Sequence, residues 1–113
     1  MRSQEKVAPD AALRLLGLAA RAGALLPGTE PVREAARRGS LHFALVAEDT
    51  SDNSLDKLLP LLAKRGVQHV MRFTRDQLGA AVGRAPLSAV GITTQSFALQ
   101  LQNMFGNGDG AEA

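Results

Sequence analysis

Leu41-His42-Phe43-Ala44-Leu45-Val46-Ala47 is a nearly continuous apolar run in the middle of the chain. A strand with apolar residues on both sides of its pleat has to be covered on both faces. The run therefore predicts a central strand with helices above and below it, and the rest of the chain must supply those helices.

The flanking segments do so in alternation. Asp10 reads as the N-cap of a first helix over Ala11 to Arg21. At about 100° per residue, Arg14, Gly17 and Arg21 share one narrow stripe of it, and the remaining circumference is Leu and Ala. Gly23 reads as its C-cap. Ala24-Leu25-Leu26-Pro27 is a short strand that Pro27 terminates. Thr29 is expected to cap a second helix with Pro31 in its first turn, where a missing N–H does no harm. A third helix runs from about Asn53 to Arg65, with Leu55, Leu58, Leu59 and Leu62 on one face and Pro60 expected to kink it or remove a hydrogen bond. Val67 to Arg72 is a short strand. Thr74 followed three residues on by Gln77 has the form of a capping box for a helix through about Val82. Leu87 to Thr93 is the last strand, and a closing helix runs from Thr94 or Gln95 to about Phe105. The sum is α/β: a three-layer αβα sandwich, with a small mixed four-stranded sheet between helices. Residues 1–9 read as a polar tail or linker, 10–105 as one domain, and 106–113 as a disordered tail.

A chain of 113 residues is one domain's worth, and about two-thirds of the surface of such a chain can be buried on folding. With no Cys, neither a disulfide nor a thiolate metal site is available. The longest apolar runs fall short of a membrane span, and Met1 to Lys6 lacks the apolar core of a signal peptide, so a cytoplasmic protein is expected. Net charge is only +2, but the 13 basic residues comprise ten Arg and three Lys. Arg binds phosphate in bidentate fashion and stacks on bases. High Arg content is equally what a GC-rich genome produces. With four Phe and no Trp or Tyr, an aromatic platform for stacking single strands is not expected.

Two turns stand out. Gly28-Thr29-Glu30-Pro31-Val32-Arg33 follows a short strand and opens a helix, which aims free backbone N–H groups outward and suits an anion. In that helix Glu30, Arg33, Glu34, Arg37 and Arg38 share one face, where they are also spaced to pair with each other. Gly83-Arg84-Ala85-Pro86-Leu87-Ser88 is a turn carrying one cation and an apolar tip. Chemistry-bearing constellations are weak by comparison. Glu48-Asp49 is a lone carboxylate pair and reads as a loop or helix-start feature. His42 and His69 have no second ligand at metal-binding spacing. Neither a nucleophile elbow, a dinucleotide glycine motif nor a phosphate-loop lysine is present. Neither catalytic residues, a metal site, a cofactor nor a small-molecule substrate is expected.

Four segments together resemble a known family. Leu15-Leu16-Gly17-Leu18-Ala19-Ala20-Arg21-Ala22-Gly23, Leu25-Leu26-Pro27-Gly28-Thr29, Ala44-Leu45-Val46-Ala47-Glu48-Asp49 and Leu78-Gly79-Ala80-Ala81-Val82-Gly83 are similar, in order and spacing, to the L7Ae/L30e ribosomal-protein family of kink-turn RNA binders. They are most similar to its bacterial, YlxQ-type branch, over roughly Asp10 to Met104. The resemblance implies an αβα sandwich and a non-catalytic, ribosome- or translation-associated protein. Its partner would be structured RNA, possibly ribosomal, and it would act as a monomer. It also implies that the glycine turn and following helix start enter the RNA major groove while the loop before the last strand meets a flipped-out base. On this chain the first element is Gly28, Thr29, Glu30, Pro31, Val32, Arg33 and Glu34, and the second is Arg84, Ala85, Pro86, Leu87 and Ser88. Arg37 and Arg38 would neutralise phosphates beside them. The family's base-reading positions, commonly Asn, Glu and Lys, are Glu30, Pro31 and Glu34 here. That substitution motivates an alternative: a protein-interaction module of the same fold that has lost specific RNA binding.

Overall fold

The computed structural model describes residues 3–105, with side chains from Ala11 onward. The elements alternate in the expected order: α1 (Ser3–Arg21), β1 (Leu25–Pro27), α2 (Thr29–Arg38), β2 (Phe43–Val46), α3 (Asp52–Lys64), β3 (His69–Met71), α4 (Arg75–Ala81), β4 (Ala89–Ile92) and α5 (Gln95–Met104). The four strands form one mixed sheet in the order β1-β4-β2-β3. β4 is antiparallel to both β1 and β2, whereas β2 and β3 are parallel.

Both interior strands, β2 and β4, are buried along their whole length. Their alternating side chains feed two separate cores. Phe43, Leu45, Val90 and Ile92 point to the face covered by α1, α4 and α5, where they meet Leu15, Leu16, Leu78 and Leu101. Ala44, Val46 and Ala89 point to the opposite face and meet Val32, Ala35 and Ala36 of α2 and Leu58 and Leu62 of α3. Small residues on this second face let α2 approach closely. A Cβ on Gly91 would sit 2.5 Å from Leu41 Cδ1 and 3.1 Å from Val32 Cγ2, tighter than real side chains tolerate.

Three local expectations are corrected. α1 begins at Ser3, well before Asp10, so residues 3–9 are helical where a polar tail was expected, and Asp10 lies inside the helix rather than capping it. The upstream Gln, Glu, Lys and Ala are good helix formers. Gly17 is buried rather than part of an exposed stripe, because the backbone of α4 crosses it: a Cβ there would lie 2.9 Å from Ala81 O. His42 precedes β2 and is exposed. Pro60 lies inside α3 and removes a hydrogen bond, as expected; it sits on the exposed side of the helix, where water can satisfy the carbonyl left without a donor. The tail expected from Gly106 to Ala113 lies outside the described residues.

Candidate nucleic-acid interface

The expected capping box at the start of α4 is present. Gln77 N–H donates to Thr74 Oγ1 at 3.2 Å, and Thr74 N–H donates to Gln77 Oε1 at 2.9 Å. A carboxylate from across the molecule joins it. Asp49 Oδ1 accepts from the Arg75 N–H at 2.9 Å, and Asp49 Oδ2 lies 3.5 Å from Arg75 Nε. That backbone hydrogen bond, helped by the guanidinium, holds the Asp49 carboxyl below its ordinary value. Glu48-Asp49 is thus a clasp between the β2–α3 loop and α4. Among the described residues no group of three or more His, Cys, Asp or Glu is placed to hold a metal ion.

The start of α2 differs from the expected cap. Gly28, not Thr29, is the N-cap, with φ 107° and ψ 158°, and among the described residues no side chain hydrogen-bonds to the first-turn amides. Those dihedrals are essentially restricted to glycine. The first backbone bond into the helix is from Val32 N to Gly28 O at 3.2 Å. Pro31 has no N–H, so the amides of Thr29 and Glu30 are left at an open helix mouth. Glu30, exposed beside it, does not plug that mouth, because its Oε2 accepts from Arg33 Nη1 at 2.7 Å.

β4 brings the second turn to this mouth. Pro27 pairs with Val90, and Gly28 N–H donates to Ala89 O at 2.8 Å. The loop Arg84–Ser88 therefore ends against the residue that anchors the mouth. The loop is fixed at several points. Arg84 N–H donates to Gly79 O at 2.8 Å, Leu87 N–H to Arg75 O at 3.1 Å, and Ser88 O accepts from Ala47 N at 2.8 Å and from Thr50 Oγ1 at 3.2 Å. Gly79 is indispensable to this packing, since a Cβ there would run into the Ala85 carbonyl. Arg84, Ala85 and Pro86 are exposed, and Leu87 is half-buried against the core.

Gly28, Thr29, Glu30 and Pro31 are thus brought beside Arg84, Ala85, Pro86, Leu87 and Ser88. Arg37 and Arg38 are not at that junction. They occupy the last turn of α2, about 12 Å along the axis from Thr29 at 1.5 Å per residue, next to the left-handed Gly39 cap. The α2 cations are internally paired: Glu34 meets Arg37 at 3.4 Å and Arg38 at 3.2 Å, as Glu30 meets Arg33. Arg33 Nε is buried without a hydrogen-bond acceptor among the described residues.

Sequence reasoning missed the Asp49 clasp, whose partner is 26 positions away. It also missed Phe73, which adopts φ 67° in the β3–α4 loop while its carbonyl accepts from Glu48 N at 2.8 Å. A left-handed phenylalanine leaves no composition signal.

The fold is matched in known proteins. Residues 10–101 match the model of the ribosomal protein L7Ae/L30e/S12e/Gadd45 family. The chain belongs to this family. Among L7Ae-type relatives, the large ribosomal subunit proteins eL8 of the archaea Halobacterium salinarum and Haloquadratum walsbyi are 36% identical over 75 residues. Those alignments cover 66% of this chain and 62% of each relative, so the chain spans less than two-thirds of their length. A protein of unknown function from Bacillus halodurans superposes with a TM-score of 0.78 at 30% identity, covering 82% of this chain and 94% of the other. The Giardia lamblia 15.5 kD RNA-binding protein superposes with a TM-score of 0.75 at 19% identity over 87% and 84% of the two chains, a likeness of fold. No helix among the described residues is long and apolar enough to cross a membrane.

Proposed function

We infer that this chain is a non-catalytic RNA-binding protein, associated with ribosomes or translation, that grips structured RNA of the kink-turn type. The observation that carries this reading is the Gly28–Ala89 hydrogen bond, which sets an uncapped helix mouth beside an exposed, rigidly held loop in an L7Ae-family chain. The amides of Thr29 and Glu30 present donors and the positive end of the α2 dipole to a phosphate. Ala85, Pro86 and Leu87 offer an apolar surface to an unstacked base, with Arg84 and Ser88 at its edges. Arg33, Arg37 and Arg38 neutralise the backbone. Their pairs with Glu30 and Glu34 are exposed and contribute only about 0.3–0.5 kcal/mol each, so they exchange readily for phosphate. Arg33 gains further, because turning outward relieves an unsatisfied buried donor worth about 1–3 kcal/mol.

The likeness to the archaeal eL8 proteins and the Giardia RNA-binding protein supports the RNA partner. The 30% identity with the Bacillus halodurans chain supports the bacterial YlxQ-type branch. In this reading the chain acts as a cytoplasmic monomer. A mobility-shift titration with a kink-turn RNA tests it. Three arginine–phosphate contacts predict a log–log salt slope of roughly −2 to −3, at about 0.7–0.9 per phosphate. Absence of binding at low salt up to tens of micromolar protein removes the reading.

A second reading is favoured by one observation. Glu30 and Glu34 hold three arginines of α2 in internal pairs, which suits a protein-interaction module of this fold that has given up specific RNA binding. Glu30→Asn with Glu34→Lys separates the two. Strong RNA binding appearing from an undetectable baseline supports the interaction module, whereas a modest gain on an existing affinity supports the RNA reading.

A further inference from the structure

The cations of α2 are neutralised within their own helix, but a second set of arginines has no acidic partner among the described residues. Among the described residues Arg14, Arg21 and Arg84 form no ion pair, and all three are exposed. They line one continuous surface. A cleft of about 440 Å³ is walled by Gly17, Ala20 and Arg21 of α1, Pro27 of β1, and Ala81 and Arg84 at the end of α4 and beyond. A neighbouring cleft of about 410 Å³ shares Gly17, Arg21 and Ala81 and extends the surface along α1 to Arg14 and Leu18. Among the described residues, none that lines either cleft is acidic.

The geometry follows from Gly17. Without a side chain there, α4 settles its Ala81 carbonyl against α1, and a Cβ would lie 2.9 Å from that oxygen. The close crossing leaves a groove rather than a ridge along Arg14, Leu18 and Arg21, which recur at one helical face. Arg14 and Arg21 are two turns apart, about 10.5 Å along the axis. Leu18 stands half-exposed between them at 49% of its full surface, an apolar rest for a base between two phosphate-binding heads. The carbonyl end of α4 carries at most about half a negative charge, too little to neutralise Arg21 and Arg84 together.

The groove opens at Pro27 and Arg84, the residues that adjoin the α2 mouth and begin the candidate base-binding loop. We propose that it is a track for single-stranded RNA leaving the structured element held at that mouth, with Arg84, Arg21 and Arg14 taking successive stretches of backbone. This rests on the RNA-binding reading above and adds a second, sequence-independent contact surface on the α1–α4 side of the molecule.

The test compares two RNAs, a minimal kink-turn and the same kink-turn carrying an eight-nucleotide oligouridine extension at either end. Wild-type protein is compared with Arg14→Ala/Arg21→Ala, two exposed positions outside the α2 mouth and the loop. Wild type is expected to bind the better of the extended RNAs roughly five- to tenfold more tightly at low salt, with a salt slope steeper by about 0.7 per added single-strand phosphate contact. The double variant should bind the minimal RNA as wild type does and lose the gain from the extension. If wild type binds the minimal RNA but neither extension adds affinity, or if the variant loses equally on both RNAs, the track is refuted while the RNA-binding reading stands. If wild type binds none of these RNAs, both fall. Competition by oligo-aspartate but not by oligouridine would assign the groove to an acidic protein segment and overturn the proposal.

Discussion

Gly79→Ala sets two physical effects against each other with opposite signs. Gly79 is inside α4, and in an isolated helix alanine would be favoured there by about 1 kcal/mol. In the folded protein a Cβ at this position runs into the Ala85 carbonyl oxygen, with Ala85 C at 2.7 Å and Arg84 O at 2.8 Å. All three are backbone atoms of a loop anchored at Arg84 N, Leu87 N and Ser88 O, so the clash cannot be relieved by a rotamer change. Overpacking of this kind costs about 1–3 kcal/mol, and separating the Arg84–Gly79 hydrogen bond costs about 1 kcal/mol more. The net effect is a loss of roughly 1–3 kcal/mol, which lowers Tm by roughly 5–20 °C in a domain of this size. Thermal melts followed by circular dichroism measure it, and trypsin cleavage after Arg84 reports on the displaced loop. A Tm equal to or above wild type, with Arg84 cut no faster, would show that the loop does not press on α4, and the account of the loop's rigidity would fail with it.

Other expectations are narrower. Gly28→Ala should destabilise by about 1–3 kcal/mol because φ 107° is a glycine conformation; the added Cβ meets Pro31 Cδ at an ordinary 3.5 Å, so an unfolding midpoint unchanged from wild type would contradict the observed turn. Thr74→Ala removes the acceptor for the Gln77 amide and should cost about 1 kcal/mol, lowering Tm by roughly 4–8 °C. Asp49 has a folded-state pKa below its ordinary 3.8, so its contribution is fully present above that value and disappears as pH falls through the lowered one. Urea midpoints of wild type and Asp49→Asn should therefore differ near neutral pH and converge in acid, whereas a gap independent of pH would show that the carboxylate charge is not what Arg75 senses.

The parts of the fold legible in the sequence were those set by neighbours in the chain. The double burial of β2 follows from its unbroken apolar run, and the Thr74–Gln77 capping box from two residues three apart. Helix limits failed where nothing local marks a stop, as at Ser3, and the α2 cap was misassigned to Thr29 because a hydroxyl is the commoner cap while Gly28 supplies a conformation instead. Gly17 looked like part of a polar stripe because sequence periodicity cannot show that another helix crosses there. For the candidate interface, both turns were visible as turns. Their proximity was expected only from the family resemblance, since the bond joining Gly28 to Ala89 depends on the order of strands in the sheet. The Asp49 clasp and the left-handed Phe73 had no comparable signal.

The position of β4 between β1 and β2 also governs when the protein can come into being during synthesis. Neither of the two earlier strands touches the other, so nothing made before residue 89 can close the sheet, and the partner of the Gly28 amide emerges only after most of the polypeptide. Assembly must wait for this late insertion between strands separated widely in sequence, which slows folding relative to locally wired helical proteins. A nascent chain halted before Ala89 has its arginines but no mouth to present with them, so a truncated product carries charge without the shaped surface that would direct it.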